Sequence, residues 1–269
     1  MPRFISKPFV MSQQLKISIV QTVLSWEAPA ENRNRLDALI QPLAGQTDLV
    51  VLPEMFTSGF TMNPEKVAEK MDGPTVQWMK AKAAALNAAI AGSLVIGENG
   101  HFFNRLVWVN PDGYTRHYDK RHLFTLAGEH KSYLAGRERL IVEYKGWKVC
   151  PMICYDLRFP VWARNDVDYD LLFFVANWPT PRIHHWDQLL VGRAIENQSF
   201  VIGVNRVGED NNGHQYCGHS SIIDFNGTPI VRIHDQEAVF SATLSKQALL
   251  EFRKKLAFLP DRDSFEIHG

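Results

Sequence analysis

Three short runs of the sequence are apolar at nearly every position, Asp48 to Pro53, Leu171 to Ala176 and Phe200 to Asn205, and a fourth, Lys16 to Val23, is rich in β-branched residues and reads as a buried strand with them. A strand with one wet face alternates apolar and polar residues, whereas an unbroken run of this length belongs to a strand covered on both faces. Between these runs lie stretches of helical spacing. Leu36, Leu39, Ile40 and Leu43 predict a helix over Ala28 to Leu43, and Gly73-Pro74-Thr75 opens a second that runs to Asn87. Further helices are expected over His185 to Gln198 and Ser245 to Leu256. Other strands come in adjacent pairs joined by tight turns. Ala88 to Glu98 and Phe102 to Asn110 are followed, across Pro111-Asp112-Gly113, by Tyr114 to Asp119. Leu140 to Tyr144 and Trp147 to Ile153 flank Lys145-Gly146, and Gly218 to Asp224 and Pro229 to Ile233 flank Asn226-Gly227. Arg121 to Gly136 reads as irregular. The result is two β-α-β stretches joined by antiparallel hairpins, without a fixed-period repeat, which fits a mixed α/β sandwich better than one doubly wound sheet. Residues 1–14 are expected to form a flexible N-terminal extension and residues 15–269 a single domain.

Composition narrows the function classes. Apolar residues make up 45% of the 269, enough for a large core without disulfides or metals. Lys plus Arg equals Asp plus Glu at 29 each, so there is no net field to gather nucleic acid or an acidic membrane. No stretch approaches the roughly 18 apolar residues of a membrane span. Three cysteines, Cys150, Cys154 and Cys217, are too few for a secreted disulfide framework. The expectation is a soluble, cytoplasmic protein acting on a small molecule, with no cofactor and no metal. Zinc is disfavoured because the chain has neither a CxxC pair nor an HExxH motif; Cys150 and Cys217 read as packed thiols.

A carboxylate, an amine and a thiol each stand just past an apolar strand: Glu54 after VVLP, Lys120 after HYD and Cys154 after VCPMI. Pockets form at the carboxyl ends of strands, so the three can converge. The bland alternative is a charged residue leaving the core, or a buried apolar cysteine. Against it, Tyr155 to Pro160 turns abruptly from strand to polar segment, and backbone N–H groups at such a turn would favour a thiolate at Cys154.

The stretches LPEMFTSGF (Leu52 to Phe60), YDKRHLF (Tyr118 to Phe124), CPMICYDLRFPVW (Cys150 to Trp162), VANWP (Val175 to Pro179) and RAIENQ (Arg193 to Gln198) resemble the nitrilase superfamily of carbon–nitrogen hydrolases, in its omega-amidase branch. The resemblance runs from about Lys16 to near Phe265. It implies an αββα sandwich of two mixed sheets flanked by helices, pairing into a layered homodimer. It also implies a general base at Glu54, an oxyanion-stabilising amine at Lys120, a nucleophile at Cys154 and a second, orienting glutamate at Glu129.

The implied reaction hydrolyses the terminal amide of a small ω-amido keto or amino acid, such as 2-oxoglutaramate, through a thioester on Cys154. The backbone N–H of Tyr155 would join Lys120 at the oxyanion. The far carboxylate of such a substrate calls for arginine, for which Arg158 and Arg182 are the candidates, with Phe60 and Trp178 as pocket walls. Arg158 has a structural alternative, an ion pair with Asp156 or Glu54. Tyr155 after the cysteine looks like the amidase branch, where nitrilases tend to carry Trp and N-carbamoyl amidohydrolases Asn. A non-catalytic binding module is the alternative from another class.

Overall fold

In the computed structural model, which describes residues 14–267, the apolar runs become two sheets stacked face to face. The first half of the chain supplies β1 (Gln14–Gln21), α1 (Pro29–Ile40), β2 (Leu49–Val51), α2 (Pro64–Val67), α3 (Pro74–Leu86), β3 (Ala89–Glu98), β4 (His101–Val109) and β5 (Thr115–Asp119). Next come α4 (Glu129–Ser132), β6 (Val142–Tyr144), β7 (Trp147–Ile153), α5 (Pro160–Ala163), β8 (Leu171–Val175), α6 (Ile183–Asn197) and β9 (Phe200–Val204). The chain continues through β10 (Val207–Glu209), β11 (Gln215–Ile223), β12 (Pro229–His234), β13 (Ala238–Ser245) and α7 (Lys246–Lys255).

One sheet runs β13-β1-β2-β3-β4-β5 and the other β10-β11-β9-β8-β7-β6, with β12 paired to β11. Both are mixed. β1, β2 and β3 are parallel, as are β7, β8 and β9, and hairpins continue each sheet antiparallel. The period of two sorts side chains between layers. Leu15, Ile17 and Ile19 of β1 point into the space between the sheets, where they meet Val149, Phe173 and their neighbours. Val20 points the other way, toward Leu36 and Ile40 of α1 and Val76, Met79 and Ala83 of α3. Beyond the second sheet, Trp186, Leu190 and Ala194 of α6 close the fourth layer. Each buried Val, Leu, Ile, Phe or Met side chain among them contributes roughly 1.5–3 kcal/mol by leaving water. Gly203 of β9 permits the close approach of α6, because a Cβ there would lie 2.5 Å from Leu190 and from Trp186.

The structure departs from the sequence reading at four places. β13, to which the sequence reading assigned no element, pairs with β1 along its whole length, from Gln14↔Ser245 to Gln21↔Ala238. It is an edge strand with exposed side chains such as Phe240, so it carries no apolar run. The first helix stops at Ile40, and Pro42 sits in a tighter 3-10 turn over Gln41–Leu43. The stretch read as irregular after Lys120 contains α4. Gln14, assigned to the extension, begins β1; the rest of that extension, residues 1–13, lies outside the described residues. Among the described residues no helix is long and apolar enough to cross a membrane.

Candidate active site

Glu54, Cys154 and Asn177 stand just beyond the carboxyl ends of β2, β7 and β8, and Lys120 directly follows β5. Asn177 ties the two sheets together, its Nδ2 donating to the backbone oxygen of Glu54 at 2.7 Å. Behind the cysteine lies a buried charge cluster. Lys120 Nζ donates to Glu54 Oε1 at 2.9 Å and to both oxygens of Glu129, at 3.0 and 2.9 Å. All three residues are at most 1% exposed. Such a cluster survives burial only if its remaining lone pairs find donors. Here Asn177 N–H serves Glu54 Oε2 at 2.8 Å and Phe124 N–H serves Glu129 Oε2 at 2.5 Å.

Asn104 of β4 bridges the two carboxylates, its Nδ2 donating to Glu54 Oε1 at 2.8 Å and Glu129 Oε1 at 3.2 Å. Its amide cannot flip without loss. Met55 N–H occupies Ser93 Oγ as acceptor at 2.9 Å, so the Ser93 hydroxyl donates to Asn104 Oδ1 at 2.8 Å. Burial by itself would favour a neutral Lys120, but Glu129, Glu54 and Cys154 outweigh it and hold the ammonium well above the usual lysine range. Burial pushes the Glu129 carboxyl up, Lys120 pulls it down and Glu54 pushes it up again, for a net rise.

Cys154 occupies a left-handed backbone conformation, φ +43°, where β7 breaks into a 3-10 turn over Cys154–Arg158. Holding a non-glycine residue there costs about 1–3 kcal/mol, which the surrounding turn must supply. The residue is half-buried and faces a cleft. Burial first, then Glu54 and Glu129, push its thiol well above the ordinary range, against Lys120; a hydrogen bond to Glu54 adds to the rise. The turn was expected to favour a thiolate; burial, with Glu54 and Glu129 beside it, favours the thiol instead. A raised pKa leaves little thiolate at neutral pH, so alkylation of Cys154 by iodoacetamide is expected to keep accelerating beyond about pH 9. A rate plateau below pH 8, followed by mass spectrometry of the Cys154 peptide, would contradict this.

The cleft encloses about 460 Å³, the size of a small-ligand site. Phe60, Arg158, Trp178 and Arg182 all line it. Phe60 also lies 5.1 Å from Lys120 Nζ, ring centroid to nitrogen. Arg158 makes neither of the ion pairs considered from sequence. Its guanidinium stacks 4.8 Å over Trp178, and Nη2 lies 3.1 Å from His185 Nδ1. Arg182 lies 5.3 Å over Phe124, and its carbonyl accepts from Trp178 Nε1 at 2.8 Å. Tyr155 packs edge-on against Phe124 and Phe159, and its N–H lies in the first turn of a helix, where donors lack partners within the helix.

Sequence reasoning missed the far wall. Asp210, Asn212, His214 and Tyr216 line it, with Tyr216 Oη donating to Asp210 Oδ2 at 2.8 Å. Burial would raise the Asp210 carboxyl, but the Tyr216 bond and two backbone N–H groups hold it below the usual range. Ser93, Asn104 and Asn177 were missed as well. The available signal was a polar residue inside an apolar strand, Ser93 in AIAGSLVIG and Asn104 in HFFNRLVWV.

A four-layer α/β sandwich with a cysteine at the floor of its cleft, backed by a buried Glu–Lys–Glu cluster, defines a class of hydrolases built for covalent catalysis. The carbon–nitrogen hydrolase family model matches residues 14–254, and the chain belongs to that family. It is 46% identical over 254 residues to omega-amidase YafV of Escherichia coli strain K12, covering 94% of this chain and 98% of the relative. It is 35% identical over 251 residues to the 2-oxoglutaramate amidase of Bacillus subtilis, covering 91% and 96%. Among solved structures, XC1258 of Xanthomonas campestris, a CN-hydrolase superfamily protein with an arsenic adduct in its active site, matches with TM-score 0.93 at 52% identity, covering 95% of this chain and 99% of that one.

Proposed function

We propose that Cys154, Glu54 and Lys120 hydrolyse the terminal amide of a short ω-amido keto or amino acid of the 2-oxoglutaramate type, releasing ammonia through a Cys154 thioester. The chain is an amidohydrolase by family and by its named relatives. The observation that carries the residue assignment is the buried ammonium of Lys120, shared by Glu54 and Glu129 and electrostatically coupled to the Cys154 thiol. In this reading Glu54 takes the thiol proton as sulfur attacks the amide carbon, then returns it to the departing nitrogen. Lys120 and the Tyr155 N–H hold the oxyanion. Water, deprotonated by Glu54, then cleaves the thioester. Glu129 keeps Lys120 charged and aimed. The test is ammonia release from 2-oxoglutaramate set beside turnover of a nitrile and of an N-carbamoyl amino acid of equal length. Faster turnover of either alternative would shift the reading to that branch.

Arg158 and Arg182 serve as the anchor for the substrate carboxylate, supported by their place on the cleft wall without a carboxylate partner among the described residues. A charge-assisted hydrogen bond contributes about 1.5–3 kcal/mol, so Arg158→Gln and Arg182→Gln are expected to raise KM by roughly 10- to 100-fold with a smaller change in kcat. Steady-state kinetics in which both variants keep KM within twofold would move the anchor elsewhere. The homodimer expected from the resemblance and the cytoplasmic location expected from composition belong to the same proposal, and sedimentation of the purified chain tests the first.

A further inference from the structure

We propose that Asp156 is a positioning residue that holds the Lys120 and Cys154 segments in the relative placement the oxyanion requires; the inference rests on the amidase reading above. Asp156 is wholly buried two residues past Cys154, and each of its oxygens meets two hydrogen-bonding partners. Oδ2 accepts from Ile153 N–H at 3.0 Å and from Tyr118 Oη at 2.7 Å. Oδ1 accepts from His122 N–H at 3.0 Å and lies 2.8 Å from His122 Nδ1. One donor therefore comes from the residue just before the nucleophile. The others come from residues two before and two after Lys120.

The direction of the Tyr118 bond is fixed by what surrounds it. Tyr118 Oη accepts from Trp162 Nε1 at 3.0 Å and from Arg121 N–H at 3.2 Å, which leaves its own proton for Asp156. Burial and Asp156 keep that phenol protonated far above the ordinary range. The His122 ring lies flat on Phe159, centroids 3.6 Å apart and planes within 4°, so it presents Nδ1 to Asp156 in one orientation. With the ring proton on His122 Nδ1, only an acceptor-only group serves all four partners at once. An asparagine would turn an NH2 toward two of them without changing the volume.

Asp156 does not line the cleft, so its effect on the reaction runs through the groups it holds. A displacement of about 1 Å between reacting and stabilising groups costs on the order of 100-fold in rate, and an oxyanion contact acts on the tetrahedral species rather than on bound substrate. The probe is 2,5-dioxopentanoate, which is 2-oxoglutaramate with an aldehyde in place of the amide. The thiol adds across its C=O bond: the S–C bond forms, the C=O π bond breaks, and the thiol proton ends on oxygen. This adduct uses the oxyanion contacts without a leaving group.

In Asp156→Asn, kcat for 2-oxoglutaramate is expected to fall roughly 100-fold, and in Tyr118→Phe roughly 10-fold, with KM within about threefold. The inhibition constant of 2,5-dioxopentanoate is expected to rise in proportion to the loss in kcat/KM. Folded variants that keep kcat within twofold, raise KM instead, or lose kcat while binding the aldehyde as before overturn the assignment. If Asp156→Asn does not fold, Tyr118→Phe decides by the same criteria. A wild type that releases no ammonia overturns the amidase reading and this inference together, whereas an active wild type with unaffected variants overturns the inference alone.

Discussion

Cys154→Ala is expected to lower ammonia release from 2-oxoglutaramate by at least about 10⁴-fold while leaving the melting temperature within a few degrees of wild type. Removing the nucleophile from a site whose members act as a unit abolishes nearly all of the chemical acceleration, and only the contribution of binding and the oxyanion donors remains. The fold should tolerate the change. Cys154 is half-buried at the cleft floor rather than packed in the core, and alanine has no greater difficulty than cysteine with φ +43°. Buried Cys150, whose thiol burial pushes up to about 12, provides the contrast: it packs in the core on the α6 side of its sheet and does not line the cleft. A Cys154→Ala protein that turns over substrate within tenfold of wild type would remove the sulfur from the mechanism.

The second large effect is expected at Lys120, where loss of activity and loss of stability should appear together. Lys120→Met takes one ammonium from between two buried carboxylates, leaving Glu54 and Glu129 to face each other through Asn104. Breaking a buried pair by deleting one partner costs about 3–5 kcal/mol, and losing an oxyanion donor costs a further 10²- to 10³-fold in kcat. The variant is therefore expected to melt several degrees lower and to lose at least about 10³-fold in kcat/KM. Its remaining stability should increase as pH falls, because protonating one glutamate relieves the repulsion that Lys120 had neutralised. Thermal melts from pH 5 to 8 measure this. A variant as stable as wild type at every pH would mean that the three side chains are not mutually dependent.

Much of this architecture could be read from patterns alone. Runs such as LLFFV required strands buried on both faces, and that requirement produced the sandwich; the NG dipeptide at Asn226-Gly227 marked the hairpin between β11 and β12. β13 was illegible because an edge strand has one wet face and draws its stability from backbone pairing to β1, which leaves little trace in composition. The same division holds in the site. Glu54, Lys120 and Cys154 announce themselves by standing where apolar runs end, and motif resemblance gives them roles. Asn104 and Ser93 work through hydrogen-bond direction inside a strand, and that appears only when β3 and β4 are paired in register. Asp210 and Tyr216 reach the cleft from a loop and strand more than fifty residues past the nucleophile, with no periodicity to connect them. The balance at the thiol was illegible for a related reason. A sequence shows the turn that favours a thiolate, but not how deeply the fold buries the sulfur or which carboxylates it brings within reach.

The covalent step is open to one direct measurement. Wild-type protein mixed with 2-oxoglutaramate, quenched in acid within milliseconds and weighed intact, is expected to carry the mass of the substrate less ammonia, mapping to the peptide that contains Cys154. Turnover that proceeds with no such adduct, or with the acyl group on Cys150 or Cys217, would contradict the account.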